Sequence, residues 1–254
     1  MTGSASAARP LDARPGTTPR RLARTAGALY LVNIVLGAFA IGLVPGMLFV
    51  SDDLVKTAHD IQTHETLYRL SLAAHVVVTL TNVPMALLFY ELFKVVNRRL
   101  ALLDVFFTLV ATAVETATIP TKFTALAFLH GKTYTGALST AQMQALEHLP
   151  NDLSSIDYAI YGIFYGFDIL CLAYLVRTST FMPKFISILL AIDALAYLTG
   201  GFTTMIAPGV ASHLSPWIQL PAPIGEGSLC LWLLIAGVNT ERWHQRAAEA
   251  ATER

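Results

Sequence analysis

Six apolar runs, each long enough to cross a bilayer, govern what this 254-residue chain can fold into. They are Thr25 to Val50, Ser71 to Phe93, Ala101 to Leu129, Ser155 to Val176, Met182 to Ala207 and Ala222 to Val238. A helical span needs ~20 mostly apolar residues. In hydrocarbon, every backbone N–H and C=O must be bonded within the protein, which selects helices or closed barrels. Runs of this length predict an all-α fold, a polytopic membrane bundle of six transmembrane helices. Short connections imply antiparallel neighbours in one bundle. Composition agrees, since charged residues are 13% of the chain, against roughly 25% in a soluble domain. The formal net charge is zero, which removes any global electrostatic case for nucleic acid.

Lys/Arg asymmetry predicts the orientation. Arg9, Arg14, Arg20, Arg21 and Arg24 precede the first run, and Lys94, Arg98 and Arg99 lie between the second and third. Arg177 and Lys184 bracket the turn after the fourth, and Arg242, Arg246 and Arg254 follow the sixth. The opposite side carries only Lys56, Arg69 and Lys132. Both termini are therefore expected in the cytoplasm, in a bacterial plasma membrane. Three segments are expected: a disordered basic tail over 1–24, the six-helix domain over 25–240 and a cytoplasmic tail over 241–254. Arg20 and Arg21 read as the positive flank of a span rather than as an export signal, because the apolar run continues well past Ala38-Phe39-Ala40.

The connections carry weaker signals. Leu54, Ala58 and Ile61 fall at helical spacing in the first loop, which predicts a short surface helix. Asp60 and His64 would share its face, but no third ligand is evident, so no metal site is expected. Ser139 and Gln142 fit a capping box opening a short helix that Pro150-Asn151 would end. Pro120, Asn82-Val83-Pro84 and Gly200-Gly201 are expected points of irregularity in the third, second and fifth spans. Cys171 and Cys230 read as buried small hydrophobes.

Five charged side chains fall at membrane depth: Glu115, Lys122, Asp168, Asp193 and Glu226. Such residues are costly there unless they face the bundle interior and find partners. Lys122 follows Glu115 at i+7, and Glu226 is expected in the same outer half. The three are read as one ligand- or proton-binding cluster, with a structural ion pair as the alternative. Asp168 and Asp193 come out at similar depths on a helical hairpin and are read as carboxyls sharing a proton, candidates for catalysis. Tyr161 and Tyr165 precede Asp168 at i−7 and i−3, and Tyr197 follows Asp193 at i+4, which would add hydroxyls to such a pocket. Glu91, Lys94, Asn97, Arg98 and Asp104 read as a solvated interfacial cluster, with an anionic lipid headgroup as the sharper alternative.

Several segments resemble one bacterial membrane family. Leu88 to Leu103 (LFYELFKVVNRRLALL) is similar to its Tyr-Glu-Leu-Leu-Lys-Pro-Val-Asn-Arg-like hinge between helices. Val114-Glu115, Phe164 to Phe167, Ala173 to Arg177 with Pro183, and Ile224 to Leu234 (IGEGSLCLWLL) match as well. The family is catalogued as domain of unknown function 4386, and the resemblance covers Arg21 to Asn239. It implies a polytopic helical membrane protein with no established activity. It places Glu115 and Glu226 at typical acidic positions. The chain departs from the family pattern at Asp168, where members often carry histidine, and lacks the glycines expected at Ala173 and near Ile186.

Three functions fit these residues. The first is binding or transport of a proton, a small cation or an amphiphile through Glu115, Lys122 and Glu226. The second is a membrane-embedded enzyme on a lipophilic substrate, with Asp168 or Asp193 as proton donor. The third is an accessory or sensor subunit whose charges lock helices together. No motif implies a cofactor. The implied partners are the lipid bilayer, a small lipophilic or cationic ligand, and a second copy of the chain, since six spans without an internal repeat are few for a standalone carrier.

Overall fold

The structure, a computed structural model, describes residues 18–50, 53–130 and 139–252. Among the described residues there are nine helices and no strand. In chain order they are α1 (Pro19–Leu48), α2 (Leu54–Thr63), α3 (Glu65–Phe93), α4 (Arg98–His130), α5 (Thr140–Thr178), α6 (Lys184–Ile206), α7 (Pro208–Leu214), α8 (Pro221–Ile235) and α9 (Thr240–Thr252). Six segments are long and apolar enough to cross a membrane: α1, α3, α4 over Arg98–Ala127, α5 over Ser155–Thr178, α6, and Trp217–Ile235 around α8. The bundle is that of an integral, multi-pass membrane protein.

The six spans close a ring. α1 packs on α3, α3 on α4, α4 on α5, α5 on α6, α6 on α8, and α8 back on α1. Their outward faces are apolar: Phe185, Ile188, Ile192 and Leu195 on α6 recur at helical spacing and are all at least half exposed. Water would not tolerate so continuous an apolar belt, whereas lipid does. Small residues bring the backbones together, as membrane packing favours. A Cβ on Gly27 of α1 would fall 2.6 Å from the Leu234 amide nitrogen of α8. One on Gly201 of α6 would fall 2.8 Å from the Ala159 carbonyl oxygen of α5.

The main core fills the end of the bundle at which α1 starts and α8 ends, with Tyr30, Leu92, Phe93, Ile186, Leu190 and Leu233 all nearly inaccessible. Side chains also close that end. Trp243 of α9 donates to the Leu92 carbonyl at 2.9 Å, Arg242 to Thr180 at 3.2 Å, and Arg24 to Ile235 at 3.1 Å. Each satisfies a carbonyl near a helix C-terminus. A smaller core at the distal end gathers Val44, Leu48, Ile61, Tyr68, Leu72 and Leu126.

Several expectations change. α1 begins at Pro19, not Thr25, so the tail expected over 1–24 is helical from Pro19; its residues 1–17 lie outside the described residues. The expected C-terminal tail is largely the helix α9, docked through Trp243. The capping box at Ser139 and Gln142 is present. The helix it opens runs through Pro150 to Thr178, because one proline removes one hydrogen bond without ending a helix. Helices α3 and α4 likewise continue through Pro84 and Pro120. The widened turn lies in α1, where Ala38–Leu43 is π-helical just before Pro45, which has no N–H for the ladder.

Candidate functional site

Glu226 sits on α8 between two glycines. A Cβ on Gly225 would meet the Asp193 Cβ and the Leu189 carbonyl oxygen of α6, both at 3.1 Å, so the bare backbone lets α8 lie directly on α6. The Glu226 carboxylate then reaches three tyrosines from three helices. Tyr30 of α1 donates to Oε2 at 2.7 Å, Tyr165 of α5 to the same oxygen at 2.9 Å, and Tyr197 of α6 to Oε1 at 3.2 Å. The Tyr30 and Tyr165 hydroxyls lie 3.4 Å apart. This hub ties four spans of the ring together. Both carboxylate oxygens have donors, so its charge is stabilised without a cation.

The tyrosine rings extend the hub along α5. Tyr161 stacks on Tyr165 with centroids 5.1 Å apart, Tyr197 meets Tyr165 edge to face at 5.1 Å, and Tyr158 lies 6.3 Å from Tyr197. Tyr158, Tyr197 and Asp193 line a cavity of about 350 Å³ between α5, α6, α7 and the start of α8. The rest of its wall is mainly small, with Ala159, Gly162, Ala196, Gly200 and Gly201. Among its lining residues on α6, Asp193 is the farthest from the distal end.

Asp193 is fully buried, its carboxyl packed toward Gly225 of α8 with almost no surface open to the cavity, and among the described residues neither oxygen has a hydrogen-bond partner. In a bundle interior such a group must be neutralised by a proton or a cation, because isolated charge there costs several kcal/mol at least. The charged group that Asp193 feels most directly is Glu226 on α8. The expected sharing of a proton between Asp168 and Asp193 is not what the geometry brings together. Asp168 instead accepts the Thr108 hydroxyl at 2.8 Å and lies against Asp104. Asp104 was expected in the solvated interfacial cluster and is 2% exposed, turned inward on α4 toward α5.

Glu115 also has a different partner from the one expected. His75 Nε2 of α3 lies 3.0 Å from Glu115 Oε1, and both side chains are buried. Lys122 makes no ion pair with Glu115 or Glu226 among the described residues; its backbone carbonyl accepts the Tyr68 hydroxyl at 2.9 Å. Among the described residues, His75 Nδ1, Glu115 Oε2 and the Thr112 hydroxyl have no hydrogen-bond partner. The structure thus pairs Glu115 with His75 rather than with Lys122, and gathers Tyr165, Tyr197 and Glu226 with Tyr161 alongside. Sequence reasoning missed Tyr30, His75 and Asp104, and also Asn33, whose amide donates to Asn82 at 2.7 Å across α1 and α3. For Tyr30, Asn33 and His75 the available signal was a polar group inside an apolar run; Asp104 was noted, but as an interfacial rather than a buried group.

The family described as domain of unknown function (DUF4386) matches residues 25–237. The chain belongs to DUF4386. The matched region spans the whole ring from α1 to α8, so the hub, the cavity and the His75–Glu115 pair all lie inside the DUF4386 domain. No curated protein and no solved structure matches the chain. Within this DUF4386 protein both cysteines are free, with Cys230 buried against the Gly27 carbonyl oxygen. Among the described residues no three His, Cys, Asp or Glu side chains are grouped to hold a metal ion.

Proposed function

We propose that this protein binds a small ligand inside the membrane, in the cavity between α5, α6, α7 and α8, and that it resides in a bacterial plasma membrane with both termini cytoplasmic. The observation that carries the binding reading is Asp193, enclosed and unpartnered at the cavity wall, beside a Glu226 that is fully satisfied. A bundle that can supply three hydroxyls to one carboxylate and none to its neighbour leaves the second for something not part of the chain. The orientation rests on the positive flanks at the terminal end.

The test is native mass spectrometry of the full chain purified in detergent, wild type beside Asp193→Asn and Glu115→Gln. Binding at the cavity predicts a small adduct on wild type and on Glu115→Gln that disappears from Asp193→Asn. A wild-type protein with no adduct, or an adduct indifferent to Asp193, sinks the reading.

A second reading, a membrane-embedded enzyme, draws support from Tyr197 and Asp193 lining the same cavity, which would place a hydroxyl and a carboxylic acid beside one bound molecule. Asp168, the other acid considered for that role, is not among the cavity residues. Conversion of the recovered adduct by wild type and not by Asp193→Asn would favour catalysis over carriage.

A further inference from the structure

The chemistry of the cavity wall narrows the ligand to one class. Among the described residues that line it there is no lysine, arginine or histidine, so an anion would find no counter-charge. Among these described residues the one carboxylic acid is Asp193, and Glu226, outside the lining, accepts the Tyr197 hydroxyl. Any field inside is therefore negative, and Coulomb interactions are several-fold stronger in such surroundings than in water. A bare inorganic cation would ask for a shell of oxygen ligands. The wall carries hydroxyl and amide groups on Ser155, Thr204, Ser212, Ser215 and Gln219 but one carboxyl, and much of the rest is glycine and alanine carbon, Ile218 and tyrosine ring. Aromatic faces beside a lone carboxylate suit an organic ammonium, whose charge is spread and weakly hydrated.

Shape agrees. The volume of about 350 Å³ is that of roughly ten water molecules, enough for a quaternary ammonium group with a short chain. Gly162 brings the α5 backbone close to the ring: a Cβ there would just touch Tyr197 Cδ1 at 3.4 Å. At the distal end of the cavity the lining turns polar, with Ser155, Ser212, Ser215 and Gln219. A molecule with a cationic head held deep and a polar tail at the mouth matches both ends.

We infer that the cavity takes an organic ammonium compound, held beside the Tyr158 and Tyr197 rings, which line the cavity as a contact pair, in the field of Asp193. This rests on the binding reading above. Tyr158 and Tyr197 then act by their ring faces, and Asp193 supplies the charge selectivity.

The experiment is isothermal titration of the detergent-purified full chain with two probes of equal shape, choline and its uncharged carbon analogue 3,3-dimethylbutan-1-ol. The expected result is choline binding at least about tenfold tighter than the alcohol. Asp193→Asn should reduce that ratio to below about threefold. Tyr158 is 39% exposed, so Tyr158→Ala should fold normally and serves where Asp193→Asn does not. It should weaken choline severalfold and the alcohol little, with Tyr158→Phe restoring wild-type behaviour. Equal binding of both probes overturns the ammonium assignment and leaves the cavity a ligand site. Binding of neither overturns the assignment and the binding reading together. A choline preference unchanged in both Asp193→Asn and Tyr158→Ala places the cation elsewhere and also overturns it.

Discussion

The hub around Glu226 and the cavity wall around Asp193 stand on adjacent helices and use the same materials, carboxyls and tyrosines. At the hub, three hydroxyls from α1, α5 and α6 converge on one carboxylate. At the wall, a fully buried carboxyl meets no donor, and the tyrosines beside it present rings. The contrast separates two uses of intramembrane charge. A satisfied group fixes helix positions, because removing it strands its donors. An unsatisfied group contributes little to the fold, and its cost is recovered only when something binds.

Substitutions at the two places should behave oppositely. The largest effect is expected for Glu226→Leu, which strands the three hydroxyls of Tyr30, Tyr165 and Tyr197. Thermal melts in detergent should show a loss of roughly 2–4 kcal/mol, since each stranded group costs ~1–3 kcal/mol in soluble cores and less in membranes. Glu226→Gln should lose clearly less, because its amide oxygen still accepts. Next comes His75→Leu, which removes the hydrogen-bond partner of Glu115 and should cost about 1–3 kcal/mol. Adding Glu115→Leu should recover much of that, and failure to recover would show the pair doing more than locking α3 to α4. Tyr30→Phe removes the 2.7 Å hydrogen bond to Glu226 and should cost about 1 kcal/mol, more than Tyr197→Phe with its 3.2 Å bond. Equal losses would mean that Oε1 and Oε2 are held alike. The smallest effect, about 0.5 kcal/mol, is expected for Tyr158→Ala, where the tyrosine is already 39% exposed and its ring contacts with Tyr161 and Tyr197 are lost.

Much of the frame was legible in the sequence, because run length alone identifies membrane helices. The order of the spans round the ring follows from short connections. What depth along a helix does not give is rotation about its axis. Glu115 and Lys122 share a sequence spacing that suggests one face, yet Glu115 turns to His75 on α3. Asp104, close to the start of α4, reads as interfacial by depth and is buried by azimuth against Asp168. In a membrane bundle both the lipid-facing and the inward surfaces are apolar, so the pattern that orients a soluble helix is weak. α9 was legible in principle: Trp243 and Ala247, four apart in a polar stretch, both pack on the core. Tyr165, Tyr197 and Glu226 were identified as candidates by type, whereas Tyr30 was not, since it lies far from them in the chain.

The most direct test of the contrast is the melting temperature of Asp193→Leu in ligand-free detergent, read together with choline binding. An apolar side chain of similar size should pack where an unpartnered carboxyl does not. The account predicts a melting temperature equal to or above wild type, with choline binding abolished. A clearly lower melting temperature with choline binding intact would make Asp193 a structural group and contradict the account.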